Sequence, residues 1–232
     1  MTNVTQNLLK IRRRIEQACI GCGRDPADID LLAVSKKHPA SAIRAAFQAG
    51  QTAFGENFLQ EALSKQSELA DLDIDWHFIG HIQSNKAAEI ANCFNWVHSV
   101  GRLKVAKKLS AHRRPGQADL NVCIQVALAE EDGKSGVQDE KLADLAGEIA
   151  ELPRLRLRGL MCIPPPSDDP SRQQLWFANL ASLQKELNRS GLGLDTLSMG
   201  MSNDLEAAIA QGSTLLRLGT AVFGPRPNTG NG

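Results

Sequence analysis

One lysine lies where this sequence could perform covalent chemistry. Lys36 follows an apolar run at residues 31–35 that predicts a buried strand, and Pro39, three residues later, disfavours any continuation of that strand. A lysine at a strand end can direct its amine into a site built over the strand ends. Partial desolvation then favours the neutral amine, which forms a Schiff base with an aldehyde. Because most lysines are exposed, a solvated lysine in a turn is the simpler interpretation of Lys36 taken alone.

Two loops near the end of the sequence have the composition of phosphate-binding loops. In the first loop, Ser202 or Asn203 can cap a following helix, whose free N–H groups and dipole attract an anion. In the second loop, Gly219 precedes Thr220 and lets a ligand approach the backbone closely. Ordinary helix capping and a tight turn explain each loop separately. Both loops together, beside the strand that carries Lys36, predict a phosphate site.

An arginine on the last predicted strand adds a third group. Arg217 shares a strand face with Leu215 and Gly219 by two-residue alternation. An arginine directed into a barrel needs a partner, because an unpaired buried charge is costly. That partner is either a carboxylate on another strand or a ligand atom that accepts a hydrogen bond. With an aldehyde-reactive lysine and a phosphate loop, the arginine describes a site for pyridoxal 5′-phosphate (PLP).

The elements that must position these residues alternate along the chain. Eight strand-like segments are separated by amphipathic helical stretches, at residues 31–35, 52–55, 76–80, 94–97, 121–128, 156–163, 196–199 and 214–218. Alternating strands and helices predict a parallel sheet, and eight such units fit a single (β/α)8 TIM-type barrel of about 250 residues. A doubly wound open sheet is the alternative. We expect one domain, residues 1–224, with an additional N-terminal helix, and a disordered tail at residues 225–232.

Composition excludes several classes of function. Lys+Arg and Asp+Glu are equal at 26 each, which gives no electrostatic case for binding nucleic acid or an anionic membrane. The basic cluster 12–14 is predicted to be the solvated side of the first helix. No apolar stretch is long enough to span a membrane. Five cysteines, an odd number, favour reduced thiols in the cytoplasm, and the pair Cys19 and Cys22 lacks the second pair that a zinc site needs.

Eight short motifs together give this sequence a resemblance to the pyridoxal phosphate homeostasis proteins, the YggS family. The resemblance extends from the first helix to about Gly224. Its motifs lie at residues 32–36, 54–57, 76–80, 83–86, 134–136, 158–161, 200–204 and 217–220. Lys37 and His38 differ from a familiar Thr-Lys pair, and Phe58 replaces a familiar tyrosine. None of these differences affects the proposed contacts.

The resemblance implies a barrel of PLP fold type III and assigns roles to particular residues. It implies that Lys36 carries PLP as a Schiff base and that Arg217 lies near the pyridine nitrogen. The phosphate would be bound by Ser202, Gly219 and Thr220. The pocket would be lined by Asn57, His77 and Met201.

The resemblance also implies a function. It implies a cytoplasmic monomer that holds PLP reversibly, takes part in vitamin B6 and amino-acid homeostasis, and has PLP and PLP-requiring apo-enzymes as partners. No bound metal and no catalysis at ordinary enzyme rates are expected.

Two enzymes are the alternatives. A PLP-dependent racemase is the first, because the family's fold resembles the barrel domain of alanine racemases. Those racemases have a second, mostly β domain and a tyrosine on the far face of the cofactor, whereas this sequence is predicted to be too short for that domain and contains no tyrosine. An arginine at the pyridine nitrogen also disfavours ring protonation and weakens the electron sink. A barrel aldolase that uses Lys36 on a sugar phosphate is the second.

Overall fold

The computed structural model describes residues 3–128 and 136–225. In this part of the chain eight parallel strands form a closed barrel in sequence order. The strands are β1 (Asp30–Val34), β2 (Ala53–Glu56), β3 (Asp75–Phe78), β4 (Trp96–Val100), β5 (Leu120–Gln125), β6 (Leu155–Met161), β7 (Thr196–Ser198) and β8 (Leu215–Leu218). The predicted (β/α)8 barrel is confirmed, and the open-sheet alternative is wrong because β1 pairs with β8.

Helices connect the strands around the outside of the barrel. One helix, α1 (Val4–Cys22), precedes β1, and a short 3-10 helix (Pro26–Asp28) follows it. The others are α2 (Ala40–Gln48), α3 (Leu59–Glu68), α4 (Ala87–Cys93), α5 (Leu103–His112), α6 (Asp139–Ala150), α7 (Pro170–Arg189), α8 (Leu205–Ala210) and α9 (Thr220–Phe223).

Alternation along the strands divides the core into two layers. Phe54 and Phe78 belong to the apolar cluster that packs between the strands and the helices. The other strand face points into the barrel, where a Cβ placed on Gly55 would lie 3.2 Å from the side chain of Leu32 and 3.3 Å from that of Ile79. Side chains from strands that do not pair with each other can meet only in this interior, so any polar group there needs a partner from across the barrel.

Strand boundaries differ from the predicted ones by a few residues. The segment predicted at 94–97 is β4, which begins at Trp96 and continues to Val100. Its pairing with β5 shifts register between Val97 and Val100, so the simple two-residue alternation fails there. The segment predicted at 121–128 ends as a strand at Gln125.

Two sequence predictions fall outside the described residues. They concern Lys134 and Ser135 of the motif at 134–136, and positions 226–232 of the predicted tail. Of the helices that the structure describes, none has the length and apolar character to span a membrane. All five cysteines are free thiols.

Candidate functional site

Barrel closure brings Lys36 next to the loop that follows β8. In the register of β1 with β8, Ala33 lies opposite Leu218, and a Cβ placed on Gly219 would lie 3.2 Å from the carbonyl oxygen of Val34. Lys36 is half-buried and lies just beyond the end of β1. The structure thus places the predicted lysine and the predicted phosphate loop at the same, C-terminal edge of the barrel, where barrel enzymes build their sites.

A buried ion pair fixes the residue that precedes Lys36. Lys65 of α3 donates to Glu56 Oε1 at 2.7 Å and to the carbonyl oxygen of Ser35 at 2.8 Å. The hydroxyl of Ser35 donates to the same Glu56 oxygen at 2.6 Å. Both charged side chains are buried, so the cost of removing them from water is offset only while these bonds are intact. The pair therefore sets the conformation of the chain at Ser35.

The same lysine reaches the residue that follows Lys36. Lys65 also donates to Glu61 Oε1 at 2.6 Å, and the other bond to that oxygen comes from the backbone N–H of Lys37 at 2.5 Å. Lys37 has φ 63°, a left-handed conformation that is uncommon outside glycine. The carboxylate bond stabilises this conformation, so the backbone on both sides of Lys36 is tied to Lys65. We call Glu56, Glu61 and Lys65 the lysine-loop clamp.

Burial and hydrogen bonding act in opposite directions on the acidity of Glu56. Removal from water raises the pKa of Glu56, whereas the ammonium group of Lys65 and the hydroxyl of Ser35 lower it. The two bonds to Oε1 identify the ionised form as the one that the clamp accommodates. The other oxygen, Oε2, is buried and makes no hydrogen bond within the described residues. The ionised carboxylate of Glu56 is therefore stabilised mainly by Lys65.

The clamp was not found by sequence reasoning. Lys65 occupies the buried face of α3 together with Leu59 and Ala62, at spacings of three residues. A lysine inside an apolar helical stripe is the signal that predicts a buried cation. Its partner Glu56 is harder to predict, because the pairing depends on how α3 packs on the barrel.

The first predicted phosphate loop is held by an aspartate. The backbone N–H of Met201 donates to Asp204 Oδ1 at 2.5 Å, which closes a tight turn that contains Ser202. Helix α8 begins after Asp204. The prediction that Ser202 or Asn203 caps this helix is therefore wrong, because Asp204 is buried at the capping position and uses its carboxylate to close the turn. The hydroxyl of Ser202 is not needed as a cap.

An arginine of α1 also holds this loop. Arg14 donates to the carbonyl oxygen of Ser202 at 2.8 Å and forms a bidentate pair with Glu206, with distances of 2.5 and 2.7 Å. The prediction that the cluster at 12–14 is simply a solvated face is wrong for Arg14. Because the pair with Glu206 is partly exposed, it contributes only about 0.2–1 kcal/mol. Its main effect is to fix α1 against the loop.

The second predicted phosphate loop leads directly into a short helix. Helix α9 begins at Thr220, and the N–H groups of Val222 and Phe223 both donate to the carbonyl oxygen of Gly219 at 2.9 Å. Thr220 is exposed, and Gly219 is half-buried. At the other end of α9 the ring of Phe223 stacks on His38 with centroids 5.0 Å apart. That stacking ties the phosphate loop to the loop that carries Lys36.

Arg217 is buried and points into the barrel. Its guanidinium donates to the carbonyl oxygen and the hydroxyl of Ser198, the latter at 2.8 Å, and to the carbonyl oxygen of Cys162 at 2.7 Å. These three acceptors are neutral oxygens, and burial lowers the pKa of Arg217 from its ordinary value. None of these three contacts is with a carboxylate, so none of them neutralises the positive charge that Arg217 carries inside the barrel.

Asn57 has an unsatisfied amide at the same edge. Its Oδ1 is buried and makes no hydrogen bond within the described residues. The backbone of the neighbouring loop approaches Asn57 so closely that a Cβ on Gly80 would lie 2.0 Å from the carbonyl oxygen of Asn57. A buried amide oxygen without a partner costs about 1–3 kcal/mol. This side chain is therefore suited to a polar group of a ligand.

The structure places His77 deeper than the other predicted site residues. His77 is buried in the barrel interior, with Nδ1 at 2.9 Å from His98 Nε2 and Nε2 at 3.1 Å from Asp75 Oδ2. It lines a cavity of about 440 Å³ that is bordered by the first residues of β1, β2, β3 and β4, at the N-terminal end of the barrel. Lys36, Asn57, Met201, Ser202, Gly219 and Thr220 all follow the C-terminal ends of strands. A ligand contact of His77 stays a prediction.

Comparison with known proteins places this barrel in a class. Residues 3–227 match the family described as alanine racemase, N-terminal domain. The alanine racemase of Corynebacterium glutamicum has the same fold at a TM-score of 0.71 and 17% identity, and the match covers 99% of this chain and 62% of that one. The fold is therefore the alanine racemase type of barrel.

Two other relatives are much more similar to this chain in sequence than that racemase is. The pyridoxal phosphate homeostasis protein of Pseudomonas aeruginosa is 55% identical over 226 residues, 97% of each chain. PipY of Synechococcus elongatus, whose structure has been solved with PLP bound, is 37% identical with a TM-score of 0.84, and the match covers 95% of this chain and 100% of that one. The chain belongs to the pyridoxal phosphate homeostasis proteins, a branch of the alanine racemase N-terminal domain family, as the sequence motifs predicted.

The clamp gives a prediction about stability. In Lys65→Met the buried carboxylate of Glu56 loses its cation, so the free energy of unfolding should fall by about 3–5 kcal/mol at neutral pH. Without Lys65 the folded-state pKa of Glu56 rises further above its unfolded value. The folded state then binds the proton more tightly, and stability falls as pH increases between the two pKa values. Urea unfolding should therefore show a larger deficit near pH 8 than near pH 5.5.

A second variant controls for the loss of packing. Adding Glu56→Gln to Lys65→Met removes the unpaired charge, so the double variant should recover part of the stability and lose the pH dependence. An equal deficit at both pH values in Lys65→Met would show that the ion pair does not stabilise the loop.

Proposed function

We propose that this protein binds PLP at the C-terminal edge of the barrel and holds it reversibly for the PLP and amino-acid homeostasis of the cell. The observation that carries the proposal is that Lys36 and the loops at 201–202 and 219–220 follow the C-terminal ends of three neighbouring strands, β1, β7 and β8, with the cation of Arg217 inside the barrel. PipY, a relative with the same fold, has been solved with PLP bound.

The chemistry of PLP fits the groups present. PLP supplies an aldehyde that condenses with an amine, together with a phosphate and a pyridine nitrogen. Lys36 provides the amine, on a backbone that the clamp holds on both sides. The unsatisfied amide of Asn57 provides a further polar contact.

The phosphate is assigned to the two loops. In the proposal the hydroxyls of Ser202 and Thr220 donate to the phosphate oxygens, and the backbone of Gly219 approaches them without a side chain in between. Hydrogen bonds to a charged phosphate contribute about 1.5–3 kcal/mol each. Met201 borders the ligand from the first loop. Arg14 and Asp204 act indirectly, because they fix the conformation of that loop.

Arg217 favours a carrier over an enzyme in this proposal. A guanidinium only donates hydrogen bonds, so beside the pyridine nitrogen it keeps that nitrogen unprotonated. An unprotonated ring is a weaker electron sink for carbanion chemistry. The absence of tyrosine from the sequence further disfavours a racemase.

The buried cysteines are poor replacements for a catalytic tyrosine. Burial raises the pKa of Cys123 to about 12, and it does the same for Cys162. Burial also raises the pKa of Cys93. A general base works best with a pKa near the working pH, and the thiols of Cys123 and Cys162 remain protonated there. The Pseudomonas aeruginosa relative, at 55% identity, is named a homeostasis protein, whereas the racemase that shares the fold is only 17% identical.

The proposal extends to the protein's setting. It places the protein in the cytoplasm as a monomer, where it exchanges PLP with PLP-requiring apo-enzymes. The reduced state of all five cysteines is consistent with that compartment.

Replacement of the proposed lysine tests the covalent contact. Lys36→Ala should abolish the visible absorption band of the PLP-loaded protein and the borohydride-reducible adduct, because no amine remains to condense with the aldehyde. Lys37→Ala is the matched control and should retain both signals, since Lys37 contributes its backbone N–H to the loop. A persistent adduct in Lys36→Ala, located by peptide mapping, would identify another lysine. A wild-type protein that takes up no PLP but reacts with a sugar phosphate would favour the aldolase.

Replacement of the two hydroxyls tests the phosphate contacts. Ser202→Ala and Thr220→Ala should each weaken PLP affinity by about 10- to 150-fold, as the loss of one charge-assisted bond implies, while the covalent adduct still forms. Asn203→Ala alters an exposed residue in the same turn and should have little effect. Equilibrium dialysis measures the affinity. Wild-type retention in both hydroxyl variants would place the phosphate elsewhere.

The carrier proposal predicts negligible racemisation. General acid–base steps typically contribute about 10²–10⁴-fold each, so loss of the acid opposite the lysine should be severe. The PLP-loaded protein is incubated with alanine in D2O, and α-carbon exchange and chirality are measured. Turnover at roughly 1 s⁻¹ or more that disappears in Lys36→Ala would support the racemase instead. Slow exchange without net racemisation remains compatible with a carrier.

A further inference from the structure

A continuous series of hydrogen bonds crosses the interior of the barrel. It begins at Arg217, which donates to the hydroxyl of Ser198 at 2.8 Å. It continues from Ser198 Oγ to His98 Nδ1 at 2.9 Å, from His98 Nε2 to His77 Nδ1 at 2.9 Å, and from His77 Nε2 to Asp75 Oδ2 at 3.1 Å. We call Ser198, His98, His77 and Asp75 the interior relay.

The relay connects the two ends of the barrel. Its first member, Ser198, is fully buried on β7, and the two histidines follow on β4 and β3. Its last member, Asp75, is the first residue of β3, has a side chain that is 41% exposed, and borders the cavity at the N-terminal end. A group in contact with solvent at one end is thus linked to Arg217 beneath the proposed ligand site at the other.

One proton arrangement satisfies every bond of the relay with both rings carrying a single proton. A guanidinium can only donate and a carboxylate can only accept. Asp75 therefore accepts from His77 Nε2, and with Nδ1 bare His77 accepts from His98 Nε2. His98 then accepts at Nδ1 from the hydroxyl of Ser198, whose oxygen accepts from Arg217. The inference assigns this arrangement, with the proton on Nε2 of both rings.

The surroundings of the histidines support this assignment. Burial, the proximity of His77 and the charge of Arg217 together lower the pKa of His98 well below its ordinary value, so its ring is neutral. The ring of His77 stacks on Trp96 with centroids 5.3 Å apart and planes 5° apart. The guanidinium of Arg158 also lies over the ring of Trp96, 4.7 Å from its centroid. This stacking fixes the plane of the His77 ring.

We propose that the interior relay is a positioning device for Arg217, which sets the donor geometry of the guanidinium toward the proposed cofactor from the N-terminal end of the barrel. This inference rests on the proposed PLP function. His77, which the family resemblance places in the pocket lining, acts on Arg217 in this inference only through His98 and Ser198. Each acts through the next one, and a break at any point leaves a buried nitrogen or hydroxyl without its partner.

The need to fill the barrel interior does not by itself explain why these four residues are polar. Packing needs volume, and Leu or Phe would fill it without a desolvation cost. The donor-to-acceptor order, with a cation at one end and an anion at the other, satisfies all three intervening groups without any additional proton. A merely space-filling role would predict no fixed proton position on either ring.

The first test uses the protein without PLP. Histidine labelled with ¹⁵N reports the proton position directly by NMR, and both His77 and His98 should carry the proton on Nε2 with Nδ1 bare. In Asp75→Ala the terminal acceptor is lost, and both rings should populate a mixture of the two forms. Asp30→Ala removes an exposed carboxylate from the same cavity rim and should leave the rings unchanged. A proton on Nδ1 of His98 in the wild type would overturn the relay.

The second test measures the effect on the ligand. Ser198→Ala deletes one hydroxyl next to Arg217 and should weaken PLP affinity by about 2- to 10-fold, the range that corresponds to one hydrogen bond, and should shift the visible band. Ser213→Ala is the matched control, because Ser213 is equally buried and donates to the carbonyl oxygen of Met199 at 2.7 Å, outside the relay. It should lose similar stability and keep wild-type affinity and spectrum.

The outcomes separate the relay from the proposed function. If Ser198→Ala and Asp75→Ala bind PLP like the wild type with an unchanged band, the positioning role is overturned even when the histidine forms are as assigned. If Ser198→Ala does not fold, Asp75→Ala carries the same test from the solvent-exposed end. A wild type that takes up no PLP at Lys36 would overturn the proposed function and with it this role of Arg217, while the NMR result would still show whether the relay exists.

Discussion

Closure of the barrel is the constraint on which the site depends. The hydrogen bonds between β1 and β8 join strands from opposite ends of the chain, with Leu32 opposite Arg217. In an open sheet these two strands could lie far apart, and nothing would then hold Lys36 next to the loop at Gly219. Closure also creates an interior into which Arg217 must point. One topological fact therefore produces both the edge where Lys36 lies beside the proposed phosphate loops and the buried cation of Arg217 inside the barrel.

Closure brings the loops together, but it does not fix their conformations. That task falls to polar contacts from the surrounding helices: Lys65 of α3 acts on the loop of Lys36, and Arg14 of α1 acts on the loop of Ser202. The two contacts differ in cost. The Lys65–Glu56 pair of the clamp is buried, so loss of either partner is destabilising, whereas the Arg14–Glu206 contact is partly exposed and weak. The rigidity of the lysine loop is consequently tied to global stability.

The sequence was sufficient to predict the barrel and the position of Lys36, because both follow from periodicity and from the residues that end strands. It was not sufficient for the contacts between distant elements. Asp204 replaced Ser202 and Asn203 as the residue before α8, since a local turn competes with capping. His98 is a single histidine in an apolar strand, with nothing in the sequence to indicate that Ser198 faces it across the barrel.

The two layers of the barrel have different functions for a physical reason. The outer layer is almost entirely apolar and supplies the burial that stabilises the fold. The interior can accept polar groups only in a closed series of donors and acceptors, because each unsatisfied group costs about 1–3 kcal/mol. The cation of Arg217 favours such a series, because its N–H groups need acceptors. A hydroxyl or imidazole that accepts also has a proton to donate, so it needs an acceptor in turn. In the proposed relay the last acceptor is Asp75, whose side chain is 41% exposed to water.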